Sequence, residues 1–364
     1  MVANEHILGL DRAELAALMN QRFELPPFRA RQLIRWLHKK GVRSFDEMTD
    51  IAAPLREQFA EEFAIFRPEI VSRQVSRDGT QKFLFRLEDG CEIESVLIKQ
   101  PTRYTLCVSS QVGCAMGCSF CRTALMKLRR NLETHEIVGQ VLAAREAAGL
   151  DAESGEPISF FNIVFMGMGE PLHNYENVSR ALRLLNDELG HNFSPRKVTV
   201  STSGLVPAIC RYGEDALPAS LAVSLNATTD EVRDQLIPIN RKYPLRVLLN
   251  TLRELPLKPG RRITIEYVML HGVNDRAEDL DRLPGLLRGI PVKVNLIPYN
   301  ENAGLGYRTP PRDHIMAWQD QLLSHGLNTT IRWSKGEDIS AACGQLATES
   351  ARPRRERHAD HAVT

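Results

Sequence analysis

The sequence predicts an α/β protein whose main part is a parallel β-sheet, either open or curled into a partial barrel. Three segments with different hydrophobic patterns along the 364 residues support this prediction. Residues 1–66 have a helical period, residues 67–100 alternate with a period of two, and residues 101–346 alternate between strand-length and helix-length segments. Repeated strand–helix alternation is typical of parallel sheets, in which ligand sites gather at the carboxyl ends of the strands.

The amino-terminal segment, residues 1–66, is predicted to be a small helical domain. Asp11 and Glu14 form a capping box for a first helix, and a second helix ends at Gly41. The second helix contains a basic group that we call the N-terminal patch, which consists of Arg29, Arg31, Arg35, Lys39 and Lys40. Charge of one sign beside an aromatic residue is typical of an RNA phosphate contact and also of a solvated helix face. The sequence alone favours neither interpretation, although an RNA-binding domain is the sharper hypothesis.

Residues 67–100 are predicted to form a short antiparallel element. Phe83, Phe85 and Leu87 alternate with polar residues, and Asp89-Gly90 is a strong hairpin signal. The alternation continues after the turn. We therefore expect a β-hairpin extension between the helical domain and the rest of the chain.

Residues 101–346 carry the strand–helix alternation. The predicted strands are Thr105–Ser109, Ile163–Met166, Lys197–Val200, Leu221–Leu225, Ile263–Leu270, Val292–Ile297 and Thr329–Trp333. The predicted helices are Glu133–Ala148, Tyr175–Leu189, Leu245–Leu255, Ala277–Leu287 and Asp313–His325. Residues 347–364 form a basic tail with few apolar residues, which we expect to be disordered.

Composition excludes several protein classes. No apolar run approaches the ~20 residues that span a bilayer, and the first residues lack the basic start and apolar stretch of a signal peptide. The expected location is therefore the cytoplasm, with no membrane partner. The 46 Lys and Arg residues balance 45 Asp and Glu residues, which excludes a globally basic nucleic-acid coat. Seven cysteines in a reducing compartment indicate metal binding or catalysis rather than a disulfide framework.

The strongest chemical signal is the run Cys114-Ala-Met-Gly-Cys118-Ser-Phe-Cys121, which follows a predicted strand and which we call the cluster loop. Three thiolates on one loop can hold three irons of a 4Fe–4S cluster, which normally takes four cysteines. The fourth iron then lacks a protein ligand and can bind a substrate. A structural zinc site would need a fourth ligand, and no paired CxxC follows nearby. The spacing therefore favours an iron–sulfur cluster.

Further motifs make the sequence similar to a known family. The cluster loop and Met166-Gly-Met-Gly-Glu170-Pro171 resemble the radical S-adenosylmethionine superfamily, whose usual core is a partial (β/α)6 barrel. More narrowly, the chain resembles the RlmN/Cfr family of RNA adenine methyltransferases, and is nearer to RlmN. The motifs that carry this likeness are Cys107–Cys114, Ser201–Gly204 and Asp338–Leu346, and the likeness runs from about Gln21 to Leu346.

The resemblance implies an activity, cofactors and partners. The family methylates carbon 2 or carbon 8 of an adenine in 23S ribosomal RNA, and some members also act on transfer RNA. The implied cofactors are one 4Fe–4S cluster per chain, held by Cys114, Cys118 and Cys121, and two molecules of S-adenosylmethionine per turnover. The implied partners are RNA and an electron donor such as flavodoxin or ferredoxin, and the expected state is a monomer. A second basic group contacts RNA or is ordinary surface charge; it consists of Arg122, Lys127, Arg129 and Arg130.

Three catalytic residues are implied by the same likeness. Cys343 would carry a methyl group from one cofactor molecule, and a radical from a second cofactor molecule would activate that methyl for addition to the adenine. Glu94 would remove the proton from the adenine carbon, and Cys107 would attack the Cys343 sulfur to release the product and leave a transient disulfide. Taken from the residues alone, Glu94 would be a solvent-facing strand residue and Cys107 a core residue. Cys91 and Cys210 match no family role, and we interpret both as structural.

The implied cofactor contacts lie near the ends of predicted strands. They are Met166, Gly169, Glu170, Ser201, Ser224, Leu225, Asn226 and Asn300. Gly169 would let the backbone approach the methionine amino group closely. Asn226 stands where the family usually has histidine, and asparagine is shorter and does not titrate near neutrality.

Three functions follow from these residues. The first is an RlmN-like carbon-2 methyltransferase, and the second is a Cfr-like carbon-8 enzyme or one with another RNA target. The third is a non-catalytic iron–sulfur protein that binds RNA. The third is disfavoured because binding alone requires none of Glu94, Cys107 and Cys343. We predict carbon 2, although nothing in the sequence separates it from carbon 8.

Overall fold

A computed structural model of the chain describes residues 5–150, 161–302 and 304–348. Its strands are β1 (Glu5–His6), β2 (Phe63–Ala64), β3 (Glu69–Val75), β4 (Gln81–Arg86), β5 (Glu92–Gln100), β6 (Arg103–Cys107), β7 (Gln111–Val112), β8 (Arg130–Asn131), β9 (Phe161–Phe165), β10 (Val198–Thr202), β11 (Ser220–Ser224), β12 (Ile263–Met269), β13 (Val292–Pro298) and β14 (Thr329–Ile331). Its α-helices are α1 (Arg12–Phe23), α2 (Phe28–Ile34), α3 (Ala53–Glu62), α4 (Arg122–Leu125), α5 (Thr134–Ala147), α6 (Tyr175–Asn186), α7 (Val206–Glu214), α8 (Asp230–Leu236), α9 (Leu245–Glu254), α10 (Ala277–Leu286) and α11 (Arg312–Ser324).

The main sheet has the strand order β14-β13-β12-β11-β10-β9-β6-β5-β4-β3. Strands β6 and β9 to β14 pair with one another in parallel. Within the described residues, the six strands β6 and β9 to β13 are each followed by at least one helix, as in a partial (β/α)6 barrel, and β14 extends the edge. The predicted fold class is confirmed.

Side-chain alternation along the parallel strands separates the core from the barrel interior. Phe161, Ile163 and Phe165 of β9 are buried in the hydrophobic core, whereas Asn162 and Val164 point to the other face and line an internal cavity. The same period of two places polar residues inside the barrel on β10, β12 and β13. The core therefore lies outside the barrel, among the strands and the surrounding helices.

The antiparallel strands β3, β4 and β5 continue the main sheet. Strand β5 pairs antiparallel with β6, with Val96 opposite Cys107. A two-residue connection at 101–102 separates these strands, which is the geometry of a hairpin and lets the hydrogen-bond ladder pass directly into the barrel. The predicted antiparallel element therefore contains three strands and forms one edge of the barrel sheet.

The helical domain packs against the barrel. The predicted capping box is present, because Glu14 N donates to Asp11 Oδ1 at 3.0 Å and Asp11 N donates to Glu14 Oε2 at 2.8 Å. After α2 the chain continues as a π-helix, Arg35–Lys40, and ends at Gly41 with φ +71°. His38 on this turn is buried, with its Nδ1 3.3 Å from His191 Nε2 of the barrel.

Element predictions were accurate where the apolar pattern was long. Each predicted strand and helix of the barrel region is present, with ends displaced by at most three residues. The short helices α4, α7 and α8 were not predicted. In the described residues no helix is long and apolar enough to cross a membrane. Most of the predicted disordered tail, residues 349–364, lies outside the described residues.

Candidate active site

Two adjoining cavities lie in and above the barrel. The smaller, about 160 Å³, lies at the carboxyl ends of the strands and is lined by the cluster loop. The larger, about 530 Å³, extends through the barrel interior toward the amino-terminal ends of the strands. Five residues line both cavities: Met166, Glu266, Ile297, Asn300 and Cys343. The candidate active site therefore lies at the carboxyl ends of the strands, as expected from the fold class, and the larger cavity adjoins it.

The cluster loop is framed by a small antiparallel ribbon. Strands β7 and β8 pair across it, and Gly113 has φ +79° where an added Cβ would lie 1.7 Å from the Lys127 carbonyl oxygen. Only glycine fits this close approach. The three thiols of the cluster loop all line the smaller cavity. Burial raises the pKa of Cys114 to about 12 and raises the pKa of Cys118 well above its ordinary value, with neighbouring thiols of the loop adding to both effects.

The donor set on this loop fits a 4Fe–4S cluster. In the described residues no three His, Cys, Asp or Glu side chains converge as a single metal ion would require. A cluster has no such requirement, because each thiolate binds a different iron. Bound iron would also deprotonate thiols that burial alone keeps protonated. Three thiols around one cavity therefore match a cluster better than a single-ion site.

Gly169 and Glu170 occupy a tightly constrained turn after β9. Gly169 has φ +99°, and an added Cβ would lie 2.5 Å from the Gln111 Cβ atom. The Glu170 carboxylate accepts hydrogen bonds from Ser203 N at 2.8 Å, Ser203 Oγ at 2.9 Å and Leu172 N at 3.1 Å. The Thr202 side chain is a fourth hydrogen-bond donor to this carboxylate, so the chain itself holds Glu170 in place at the wall of the smaller cavity.

The other expected cofactor contacts divide into two groups. Met166, Ser201, Ser224, Asn226 and Asn300 all line the smaller cavity. The Leu225 side chain is buried in the hydrophobic core and lines neither cavity, and its backbone N–H donates to Glu266 O at 3.0 Å.

Asn226 is held in the left-handed region with φ +56°. Its Oδ1 accepts from Val268 N at 2.8 Å, which orients the side-chain amide. Asn226 Nδ2 is buried and has no hydrogen-bond partner in the described chain. Because the residue lines the smaller cavity, this amide is a donor available to a ligand there.

Cys107 and Cys343 are brought together at the larger cavity. Both line it, and burial together with the proximity of Cys343 raises the pKa of Cys107 to about 12. All seven cysteines are free thiols, with Cys91 buried and Cys210 exposed. Cys343 lies 236 residues from Cys107 in the numbering, so the fold, rather than local sequence, creates this pair.

The segment that carries Cys343, residues 336–347, is tied to three parts of the molecule. Asn300 Nδ2 donates to the Cys343 carbonyl oxygen at 3.1 Å, and Arg122 N of the cluster-loop region donates to Gly344 O at 2.9 Å. On the antiparallel side, Ser76 Oγ donates to Asp338 Oδ1 at 2.6 Å. These contacts hold Cys343 in the wall of both cavities.

Glu94 is buried rather than solvent-facing, and is only 6% exposed. Its Oε1 lies 3.1 Å from Lys82 Nζ, and its Oε2 accepts from Ala347 N at 2.9 Å. Burial raises the pKa of Glu94, while Lys82 and the Ala347 N–H oppose that rise. Glu94 lines neither cavity and adjoins the Cys343 segment through Ala347.

Several residues of the site had no signal in the sequence. Arg233 is fully buried and donates to the carbonyl oxygens of Ser203 at 2.7 Å and Ser224 at 3.1 Å, which joins the ends of β10 and β11. Arg332 Nη1 donates to Met166 Sδ at 3.0 Å and has Cys343 among its electrostatic neighbours. The contacts with Ser203 and Met166 join residues 30 and 166 positions apart, and no local sequence pattern indicates such contacts.

The two basic groups differ in their partners. Four residues of the N-terminal patch are exposed and Arg29 is half-buried, and none of the five forms an ion pair within the described chain. Arg130, by contrast, pairs with Glu136 and Asp89, both at 2.7 Å. It is therefore engaged internally, whereas Arg122, Lys127 and Arg129 are exposed.

Comparison with known proteins gives consistent matches. The family model described as ribosomal RNA large subunit methyltransferase N-terminal domain matches residues 5–65, and that of the radical SAM superfamily matches residues 108–283. The dual-specificity RNA methyltransferase RlmN of Anaeromyxobacter dehalogenans is 53% identical over 98% of this chain and 95% of that protein. The RlmN of Geobacter sulfurreducens is 52% identical over 88% of this chain and 86% of its own length. The crystal structure of a radical SAM methyltransferase from Sphaerobacter thermophilus superposes with a TM-score of 0.87 at 43% identity, over 94% of this chain and 99% of that one.

Proposed function

Since the chain belongs to the RlmN family of radical S-adenosylmethionine RNA methyltransferases, we propose that it methylates carbon 2 of an adenine in 23S ribosomal RNA and in transfer RNA. The observation that carries this proposal is the position of Cys343. Its side chain lies in the wall between the cavity of the cluster loop and the larger cavity that contains Cys107. A methyl-carrying sulfur must reach both a cofactor and a base, and this is the position that allows it.

The enzyme uses a 4Fe–4S cluster and S-adenosylmethionine, as its family does. We assign the cluster to Cys114, Cys118 and Cys121, and when bound it supplies the electron that cleaves the cofactor. Glu170 lines the smaller cavity and is assigned to the amino group of the cofactor through its charge, and the free Asn226 Nδ2 would donate to an oxygen-bearing group of the cofactor. The other assigned contacts are Met166, Gly169, Ser201, Ser224, Leu225 and Asn300, with Leu225 limited to its backbone.

Cys343 is assigned as the methyl acceptor and Cys107 as the resolving thiol. A thiolate is a competent nucleophile toward a methylsulfonium, whereas an adenine carbon is not. After Cys343 is joined to the adenine through a methylene group, attack by the Cys107 thiolate on the Cys343 sulfur forms a disulfide. The electron pair of the broken sulfur–carbon bond stays with the methylene carbon, which takes up a proton and becomes the methyl group. Both thiols line one cavity, which supports this pairing.

Glu94 is assigned as the base that takes the proton from the methylated carbon. A carboxylate whose pKa is raised by burial accepts a proton more readily near neutral pH. The Ala347 N–H donates to Glu94, which places the carboxylate beside the Cys343 segment.

The partners follow from this chemistry. The N-terminal patch and the exposed Arg122, Lys127 and Arg129 would contact RNA phosphates, because none of these cations forms an ion pair within the described chain. We propose an electron donor such as flavodoxin or ferredoxin, a monomeric state, and a cytoplasmic location, where ribosomes and transfer RNA are found.

The test is mass spectrometry of RNA from cells with and without the gene. We expect 2-methyladenosine in ribosomal and transfer RNA to disappear with the gene and to return with the wild type. The variant Cys343→Ala should fail to restore it, whereas Cys210→Ala, which changes an exposed thiol outside both cavities, should restore it. Loss of 8-methyladenosine instead would overturn the carbon-2 assignment.

A further inference from the structure

The barrel interior is polar and open, whereas the interior of a closed (β/α)8 barrel is packed with branched apolar side chains. Its larger cavity, about 530 Å³, is within the range of small-molecule sites. Polar side chains of six strands face this space: Thr105, Asn162, Thr199, Thr264, Asn295 and Thr330. The cavity also contains Cys343, so whatever binds there lies beside the methyl-carrying sulfur.

The charges around this cavity suit a ligand that carries phosphate. Four cations line it, namely Arg103, Lys293, Arg332 and Lys335. Among its described lining residues Glu266 is the one acid. Arg103 and Lys293 are exposed at the amino-terminal end of the strands, where a backbone phosphate could meet them.

Glu266 is a buried acid with an unused oxygen. It lies on β12 between Ser224 of β11 and Asn295 of β13, and is 4% exposed. Asn295 Nδ2 donates to Oε1 at 3.1 Å, but the buried Oε2 has no hydrogen-bond partner in the described chain. Burial raises the pKa of this carboxyl, while the Arg332 and Lys293 charges and the Asn295 amide oppose the rise. Leaving a buried polar oxygen unpaired is costly, so a ligand donor at this position would be strongly favoured.

We propose that Glu266 is a specificity-determining residue that accepts a hydrogen bond from the exocyclic amino group of the target adenine in the larger cavity. This proposal rests on the proposed function. A carboxylate only accepts hydrogen bonds, and the amino group on carbon 6 is the one donor that the adenine ring offers. Guanine has a carbonyl oxygen at that carbon, which a carboxylate would repel. A nucleotide extruded from its helix is normally read by such contacts to its base edge.

The competing donor is a hydroxyl group of S-adenosylmethionine, because Glu266 also lines the smaller cavity. The residues around the Glu266 carboxylate favour the adenine over the cofactor as its ligand. Asn295, Arg332 and Lys293, which interact with the carboxylate, line the larger cavity and are absent from the described lining of the smaller one. The experiment below separates the two ligands.

The test measures the coupling between the carboxylate and the amino group. Two RNA hairpins would carry either adenine or unsubstituted purine, which lacks the amino group, at the methylated position. For the wild type we expect kcat/KM to fall about a hundredfold with purine, since a site built for an N–H donor rejects an analogue without it. For Glu266→Gln the same ratio should shrink to about tenfold, because an unpaired amide costs less than an unpaired charge. The intrinsic reactivity of purine affects the kcat/KM ratio of both enzymes equally, so it cancels when the two ratios are compared.

Three controls make the result decisive. Glu231→Gln, an exposed acid on α8 outside both cavities, should keep the wild-type ratio. The thermal unfolding midpoint and the iron content of Glu266→Gln show whether the variant folds, and its KM for S-adenosylmethionine in Cys343 methylation without RNA shows whether the carboxylate contacts the cofactor. Dissociation constants of the two hairpins, measured by fluorescence anisotropy at one salt concentration, should show the same coupling without turnover.

Equal purine discrimination in the wild type and Glu266→Gln would overturn the proposal. A raised KM for S-adenosylmethionine in that variant, with unchanged discrimination, would also overturn it and assign the contact to the cofactor. If the wild type bound the hairpins but never methylated adenine, the proposed function would fall. The binding constants would then still decide whether Glu266 reads the amino group.

Discussion

Removing the charge of Lys82 should shift the pH dependence of RNA methylation. Lys82 Nζ lies 3.1 Å from Glu94 Oε1, and the two side chains are 13% and 8% exposed. Burial raises the pKa of Glu94, and Lys82 is the largest influence that opposes this rise. In Lys82→Met, Glu94 keeps the Ala347 N–H as its partner but loses the nearby cation.

The size of the shift follows from the geometry. Two charges 3.1 Å apart attract by about 5 kcal/mol at an effective dielectric of ~20. Water that enters in place of the lysine offsets part of this, so a net loss of about 1.5–3 kcal/mol is reasonable for a charge-assisted hydrogen bond. Since 1.36 kcal/mol corresponds to one pH unit, the apparent pKa of Glu94 should rise by about 1–2.

The role of Glu94 as a base determines the direction in which the pH profile of methylation shifts. A base must be ionised to accept a proton, so methylation falls as the pH drops through its pKa, and a higher pKa moves this fall to higher pH. The free energy of unfolding should also change. Because the folded pKa lies above the ordinary value of 4.5, stability is lost as the pH rises from 4.5 through the folded pKa. In Lys82→Met this window extends to higher pH.

The assay is single-turnover RNA methylation across about pH 5–9, with the cofactor and RNA saturating. Lys82→Arg keeps the cation and should retain most of the wild-type profile. Lys99→Met removes an exposed lysine from β5 and should have no effect on it. An acid limb at the same pH in Lys82→Met and the wild type would refute the assignment of Glu94 as the base.

Four further predictions follow from the site. Replacing any thiol of the cluster loop with alanine should abolish iron binding and RNA methylation together; full activity with stoichiometric zinc would contradict the cluster. Neutralising the N-terminal patch should flatten the dependence of log Kd on log salt by about 0.7–0.9 per lost phosphate contact, and an unchanged slope would make the patch a plain solvated face. Gly169→Ala should cost about 1–3 kcal/mol of stability and weaken cofactor binding, because its Cβ would meet Gln111, whereas Gly90→Ala, in open space, should cost less in thermal unfolding. Cys107→Ala should accumulate a covalent Cys343–RNA species on denaturing gels, and normal turnover without it would return Cys107 to a core role.

The features that could be predicted from the sequence are local. The capping box at Asp11 involves residues three apart, and the cluster loop places its thiols within eight residues. The barrel strands have apolar runs long enough to show their period. Such patterns report which face of an element is buried, and this is sufficient for the fold class.

The features that escaped prediction depend on residues far apart in the chain. The burial of Glu94 results from its contacts with Lys82 across the sheet and with Ala347 near the end of the described chain. The unpaired oxygen of Glu266 is visible only once neighbouring strands are placed around it. No periodicity encodes such convergence, because it depends on sheet register and on the course of the connecting segments.

The anchoring of the Cys343 segment also has a consequence for the order of folding. Its contacts from Ser76 to Asp338 and from Glu94 to Ala347 join residues 262 and 253 positions apart. Closing loops of this length is entropically costly and slow compared with forming hairpins such as β5–β6 or single helices. An incompletely folded chain would therefore present the thiols of the cluster loop before Cys343 is seated beside them. The rate at which Cys343 becomes methylated during refolding would then report how fast the Cys343 segment docks, which is the last stage of folding.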